Sequence, residues 1–283
     1  MNVSTVTTSD RTLLPAVRST LDGSDEAFLC VAFVHSRGLH LLEKELDGLK
    51  RRDVPARMLV TTTFQEDGSA LSLASSLGLR VHVLNPGGGK TFHPKIYLGR
   101  RGDEVRAVIG SANLTGGLAT NLEAAVSLVG TLRDEPIARA WNWASELWSD
   151  ERVAPWMARA GEKVEDPFEP SLLKAMRAEV KRDPIFRTLS RGRPNRVVEL
   201  TPVEAFVVTE RSLQKTRGPE SIPAWMFNLA WDRLRSFGTL TNRELLDDMR
   251  VHRSSAVCAM LARVPGVERM PGREIALRWD RQP

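Results

Sequence analysis

The sequence predicts an α/β protein: a mixed sheet flanked by helices over residues 1–150, and a small unit of three helices and a hairpin over residues 220–283. Three observations carry this. Short apolar runs alternate with helically spaced leucines in the first half. A stretch broken by Pro155, Pro167, Pro170, Pro184, Pro194 and Pro202 follows over residues 151–219. Helical periodicity then returns. The 283 residues leave room for one large domain or two smaller ones, at ~100–200 residues each.

In chain order, Glu26–Val34 (EAFLCVAFV) is short and apolar, as a buried strand is. Gly38–Lys50 sets Leu39, Leu41, Leu42, Leu46 and Leu49 at helical spacing. Ala56–Thr62 reads as a second strand, Ser69–Leu77 as a short helix stopped by Gly78, and Arg80–Leu84 as a third strand. Asn85–Lys90 (NPGGGK) is a loop by composition. Pro94–Leu98 and Val105–Ile109 read as two strands around a tight turn at Arg100–Glu104. Asn121–Leu128 fits strand or helix alike, and Pro136–Trp148 reads as a helix. Residues 151–219 read as a basic connector with one or two helices, such as Ser171–Val180.

The C-terminal pattern starts with an amphipathic helix, Pro223–Phe237, closed by Gly238. Thr241-Asn-Arg-Glu244 has the form of a capping box, in which hydroxyl and carboxylate satisfy free backbone donors at a helix start. It introduces a helix over Asn242–Met249. Ser254 or Ser255 caps a third helix running to Val264. Val267–Met270 and Glu274–Trp279 flank a turn at Pro271-Gly272-Arg273. This element order resembles a winged helix-turn-helix.

Bulk properties narrow the function classes. Apolar residues make up 42% and charged residues 27%, ordinary for a globular protein. The longest apolar run, Ala27–Val34, is far short of the ~20 residues a membrane span needs. No basic head with an apolar run opens the chain, so no signal peptide is expected. Cys30 and Cys258 suggest neither a disulfide framework nor a zinc site, and a reducing cytoplasm fits best. The net charge of +5 is uneven. Residues 1–150 hold 16 Lys and Arg against 17 Asp and Glu; residues 151–283 hold 24 against 18. A basic second half suits a polyanion.

Chemistry concentrates between His93 and Glu123. If Pro94–Leu98 is a strand, His93 and Lys95 share a face, because side chains alternate with period two. Together they can meet one phosphate. Ser111 and Asn113 repeat that spacing at the end of the neighbouring strand and offer a hydroxyl and an amide. Glu123 can take a hydrogen bond from one ring nitrogen of His93, which sets its tautomer and raises the basicity of the other. Tyr97 is expected to pack. Gly87-Gly88-Gly89-Lys90-Thr91 imitates the end of a phosphate-binding loop. A Walker A motif would need Gly where Leu84 stands and a helix where a strand follows, so that reading is rejected. The loop is placed at the site's rim, with Lys90 near substrate.

His93-x-Lys95, then Gly110-Ser111-x-Asn113, then Asn121-Leu122-Glu123 resembles the phospholipase D superfamily. The likeness is strongest to its single-motif nuclease branch, which includes the metal-independent BfiI-type restriction endonucleases, and spans about residues 26–130. It implies a phospholipase-D-like sheet and a phosphodiesterase reaction without metal or cofactor. In that reaction His93 is the nucleophile and Lys95, Asn113 and Glu123 complete the catalytic set, while Ser111 binds substrate phosphate; Lys90 is added to the phosphate contacts from its rim position alone. The family often has Asp five residues after the Lys; here that place is Arg100, and Asp103 is expected in the turn. The resemblance gives the acidic role to Glu123. His35, His40, His82 and His252 have no Lys two residues on, so a single motif is present, and the family's two-motif site then implies a homodimer.

The expected substrate is DNA, with RNA as an alternative, in restriction or phage defence with defence-system proteins as further partners. Nucleic-acid contact is expected from Arg253, Ser254 and Ser255 at the start of the third helix, as in a major-groove reader, and from Arg269 and Arg273 on the wing. The rival readings are a non-catalytic nucleic-acid-binding subunit and a lipid-directed phosphodiesterase. No membrane contact is expected.

Overall fold

The computed structural model describes residues 1–61, 68–157, 166–209, 212 and 218–280. Thr62, the expected end of the second strand, and parts of the 151–219 connector lie outside the described residues. The chain forms two compact units, Met1–Val164 and Glu165–Pro283.

The first unit is built on an eight-stranded mixed sheet, ordered β1-β7-β6-β5-β2-β3-β4-β8. Its strands are β1 (Asn2–Thr7), β2 (Glu26–Val31), β3 (Ala56–Thr61), β4 (Arg80–Leu84), β5 (Lys95–Arg101), β6 (Glu104–Gly110), β7 (Ala124–Thr131) and β8 (Val153–Pro155). β2, β3 and β4 run parallel; β5, β6, β7 and β1 are antiparallel to their neighbours. β2 lies mid-sheet with nearly every residue buried, which is why it reads as an unbroken apolar run. One face packs α1 (Leu13–Leu21) and α2 (Ser36–Arg51), whose leucine stripe Leu39, Leu42, Leu46 and Leu49 is buried. α3 (Gly68–Ser76) packs beside α2, and α4 (Gly117–Thr120) is a single turn. The other face packs α5 (Glu135–Trp148), which closes a core of Phe28, Leu98, Ala107, Leu128, Ile137 and Trp141.

The strand-or-helix ambiguity over 121–128 resolves as strand: β7 sits between β6 and β1 and bonds to both. The connector is no separate piece. β8 joins the first sheet beside β4, and the later residues belong to the second unit.

The second unit starts with α6 (Pro170–Arg182), capped by the Glu169 carboxylate accepting from Leu172 N at 2.8 Å. A four-stranded antiparallel sheet follows, ordered β12-β11-β10-β9, from β9 (Ile185–Arg187), β10 (Pro194–Leu200), β11 (Glu204–Thr209) and β12 (Glu220–Pro223). Then come α7 (Ala224–Phe237), β13 (Thr239–Thr241), a π turn at Glu244–Asp248, α8 (Ser254–Leu261), β14 (Val267–Arg269) and β15 (Ala276–Trp279). The sheet order β13-β15-β14 and the element sequence are those of a winged helix. Gly238 ends α7 at φ 76°, a left-handed cap that costs glycine little. Half of the expected capping box forms, Glu244 N donating to Thr241 Oγ1 at 3.1 Å. The Glu244 carboxylate turns inward to the buried Arg233 at 2.5 Å. The expected helix over Asn242–Met249 forms, with Glu244–Asp248 in π geometry.

Candidate active site

The strand directions bring the motif residues to one edge of the large sheet. β1, β2, β3, β4 and β6 end there; β5 and β7 begin there. His93 precedes β5 and is exposed, while Lys95 opens β5 opposite Val31 and is only 9% exposed. Ala32 N donates to Pro94 O at 3.0 Å, which carries the β2–β5 pairing up to the site.

Lys95 Nζ lies 2.6 Å from His93 Nδ1 and 3.1 Å from the His93 carbonyl oxygen. Nζ also lies 3.3 Å from Nε2, so the ammonium sits against both ring nitrogens. The Phe33 ring stands edge-on to the imidazole, centroids 5.9 Å apart. Burial pushes the Lys95 ammonium below the usual lysine range, and the Glu123 charge pulls it part of the way back.

Gly110 allows the next turn. A Cβ there would fall 2.4 Å from Ala125 Cβ and 2.5 Å from Ala124 O on β7. The Ser111 hydroxyl accepts from Ala124 N at 3.2 Å and donates to the Glu123 carboxylate. Asn121 Nδ2 donates to the other Glu123 oxygen at 3.3 Å. Thr8, at the end of β1, accepts from Glu123 N at 2.9 Å through its hydroxyl, and Thr8 N donates to Glu123 O at 3.1 Å. Asn113 Oδ1 accepts from Phe33 N at 3.1 Å, so the amide nitrogen is the end of that side chain that can donate. Beneath, the buried Tyr97 donates its hydroxyl to Ala112 O at 3.0 Å; burial pushes its phenol well above the usual range.

Two contacts differ from those expected. The Glu123 carboxylate is held by Ser111 and Asn121 rather than by His93, and the Ser111 hydroxyl proton goes to Glu123. Lys90 is exposed on the β4–β5 loop along the same edge. Arg100 is five residues along β5 from Lys95, roughly 17 Å at strand rise. It pairs with Glu26 at 3.4 Å and lies over the Trp141 ring. Asp103 is in the turn at that far end. Neither can reach the site. Thr8, Phe33 and Asn121 were missed from sequence. Only Asn121, two residues before Glu123, carried a local signal.

Among the described residues, no group of three or more His, Cys, Asp or Glu converges as a metal site would, and no helix is long and apolar enough to cross a membrane. The Cys30 and Cys258 thiols are buried and pushed up to about 12.

In the second unit the three residues expected to meet a major groove have protein partners or are buried. Ser254 is only 3% exposed. Ser255 is half-buried and donates to Asn242 Oδ1 at 3.4 Å, and Arg253 pairs with Glu220 at 2.6 Å. α8 itself reads SSAVCAML and buries Val257 through Leu261. Arg269 and Arg273 are exposed on the wing, as expected.

No protein-family model matches the chain, and no curated protein matches it. Solved structures do. Nuc from Salmonella typhimurium, a phospholipase D family member, aligns with a TM-score of 0.44 and 16% identity over 55% of this chain and 97% of its own. NucT from Helicobacter pylori aligns with a TM-score of 0.40 and 14% identity, over 55% and 99%. Polyphosphate kinase from Porphyromonas gingivalis aligns with a TM-score of 0.37 and 14% identity, over 66% and 32%. Likenesses at this level assign no activity.

Proposed function

We propose that this protein is a phosphodiesterase of the phospholipase D type, acting on nucleic acid through a covalent phosphohistidine. The carrying observation is the buried Lys95 ammonium lying 2.6 Å from His93 Nδ1 on the sheet edge that holds Asn113 and Glu123. Substrate phosphate draws Lys95 off the ring. Nδ1 can then carry the ring proton, and the Nε2 lone pair attacks phosphorus. A P–N bond forms and the bond to the leaving oxygen breaks as that oxygen takes a proton. Lys95 and the Asn113 amide steady the charge on the non-bridging oxygens. Water then cleaves the P–N bond and restores His93. The chain's own residues supply this chemistry, so cleavage is expected to persist in excess EDTA. A panel of single- and double-stranded DNA and RNA tests the reading and identifies the substrate; no cutting of any form would sink it.

One chain carries one histidine motif. The acid that protonates the leaving oxygen is assigned to His93 of a second copy. Leu122, 76% exposed beside Glu123, supports such a neighbour, as does Val126, 41% exposed on β7. Leu122→Asp is expected to shift the protein toward monomer in sedimentation and to lower cleavage at least ~10-fold, since buried interfacial charge is costly. A variant still dimeric and fully active would place the contact elsewhere.

Lys95 predicts an alkaline limit. Its ammonium is held below the usual lysine range, so charge and cleavage are lost as pH rises, earlier than for an ordinary lysine. Lys95→Arg keeps its charge and is expected to move that fall upward, even at a lower rate. Superimposable alkaline limbs in the pH–rate profile would remove Lys95 from the phosphate.

A further inference from the structure

The third helix of the winged helix is mostly buried, and the basic second unit also presents charge away from it. Between Pro184 and Val198 the chain has four arginines, Arg187, Arg191, Arg193 and Arg196, and no acidic residue. All four are exposed on the hairpin formed by β9, β10 and the loop between them. The strand pairing separates the two faces of this sheet. Phe186, Asn195, Val197, Val207 and Ile222 are buried on the inner face. Arg196 lies outward between Ile185 on β9 and Val208 on β11. Ile185 is 46% exposed, Val198 at the β10 bulge 48%, and Phe206 is half-buried.

The hairpin is a firm platform. Arg187 Nη1 donates to Gly192 O at 3.1 Å, and Thr188 N donates to Arg193 O at 3.0 Å. Arg263, just past α8, donates to the carbonyls of Glu179 (3.0 Å), Asp183 (2.7 Å) and Ile185 (3.1 Å). That clamp docks the end of α6 and the start of β9 onto the winged helix. An open sheet face with exposed guanidinium groups set among apolar side chains matches the chemistry of a nucleic-acid strand: phosphates for the arginines and base or sugar faces for the apolar positions.

We propose that the outer face of the β9–β10 hairpin, with Arg187, Arg191, Arg193 and Arg196, is the nucleic-acid-binding surface of the second unit. The proposal rests on the reading that the first unit acts on nucleic acid, and the test separates the two. Binding of the full chain to fluorescent single-stranded and duplex oligonucleotides is measured across a salt series. Four arginines are changed together, R187Q/R191Q/R193Q/R196Q, and compared with four exposed cations of the first unit, K44Q/R51Q/R80Q/R133Q, which remove equal charge. Each arginine meeting a phosphate contributes about 1 to the slope of log affinity against log salt. The hairpin variant is expected to lose about 3 to 4 from that slope and at least ~10-fold in affinity, with its melting temperature retained. The first-unit variant is expected to change far less.

Equal losses in both variants, an unchanged slope in the hairpin variant, or wild-type preference for anionic vesicles over every oligonucleotide would overturn the proposal. Should the hairpin variant fail to fold, the single changes R191Q and R193Q in the loop replace it, each expected to lower the slope by about 1. Binding with this arginine dependence but no cleavage in EDTA upholds the surface and removes the nuclease reading. Cleavage with an unchanged slope does the reverse.

Discussion

His93→Ala is expected to abolish nucleic-acid cleavage, with a loss of about 10⁴-fold or more, while leaving the fold intact. Losses of that order follow when a covalent nucleophile is removed, because the remaining groups can bind and polarise but have nothing to attack with. His93 is exposed at the sheet edge, so truncation opens no cavity and thermal stability should be unchanged. The measurement is a cleavage assay in EDTA beside a melting curve. Equal cutting by wild type and variant would end the proposed mechanism. A second readout concerns the shared site. When wild type and variant are unfolded together and refolded in equal amounts, random pairing leaves about one quarter of the dimers with two histidines. If both copies contribute to one site, activity falls to about that fraction. A value near one half means each chain works alone. Acid-labile attachment of a labelled oligonucleotide, present in wild type and absent in the variant, would identify the phosphohistidine itself.

How much of this was legible in the sequence follows from how local each signal was. β2 and α2 could be read because each buries a continuous pattern of its own. His93, Lys95, Ser111, Asn113 and Glu123 could be read because they cluster at the ends of adjacent strands. β1 was missed: it is mostly exposed and exists through its bonds to β7, more than a hundred residues away. The same distance hid Thr8, which fixes the Glu123 backbone. β9 has three residues, and only its pairing with β10 and the docking of α8 make it a strand. Ser254 was misjudged because a helix start reads alike whether it faces solvent or a neighbour. The elements that α8 packs against, β9 and α7, decide that question, and no short-range pattern shows it. Side-chain partners behaved likewise: Glu123 could serve either Ser111 or His93 by spacing, and the turn after Gly110 brings Ser111 to it.

The second large effect is expected at Gly38, within α2 and away from the reacting atoms. Replacing an exposed helix glycine by alanine ordinarily stabilises a helix by up to about 1 kcal/mol. At Gly48 of the same helix that gain should appear, since a Cβ there meets only the Arg52 guanidinium at 3.8 Å. Gly38 is different. A Cβ there would lie 2.3 Å from both Leu114 C and Leu114 O, and 2.5 Å from Thr115 N. These are backbone atoms and cannot rotate aside. They belong to the segment that carries Asn113, tied to the start of α2 by His35 N donating to Leu114 O at 2.9 Å. Helix and loop must part, and overpacking of this kind costs about 1–3 kcal/mol, occasionally more. The displacement falls on Asn113, one residue before Leu114, and a shift of about 1 Å in a positioning group can cost roughly 100-fold in rate. Gly38→Ala should therefore lose both melting temperature and cleavage, while Gly48→Ala gains the first and keeps the second. A Gly38→Ala protein as stable and active as Gly48→Ala would show that α2 does not seat the Asn113 loop. The order of losses adds a further reading. If cleavage falls at temperatures where the variant is still fully folded, the glycine's role is to let the helix approach closely enough to position the amide, and the stability cost is secondary.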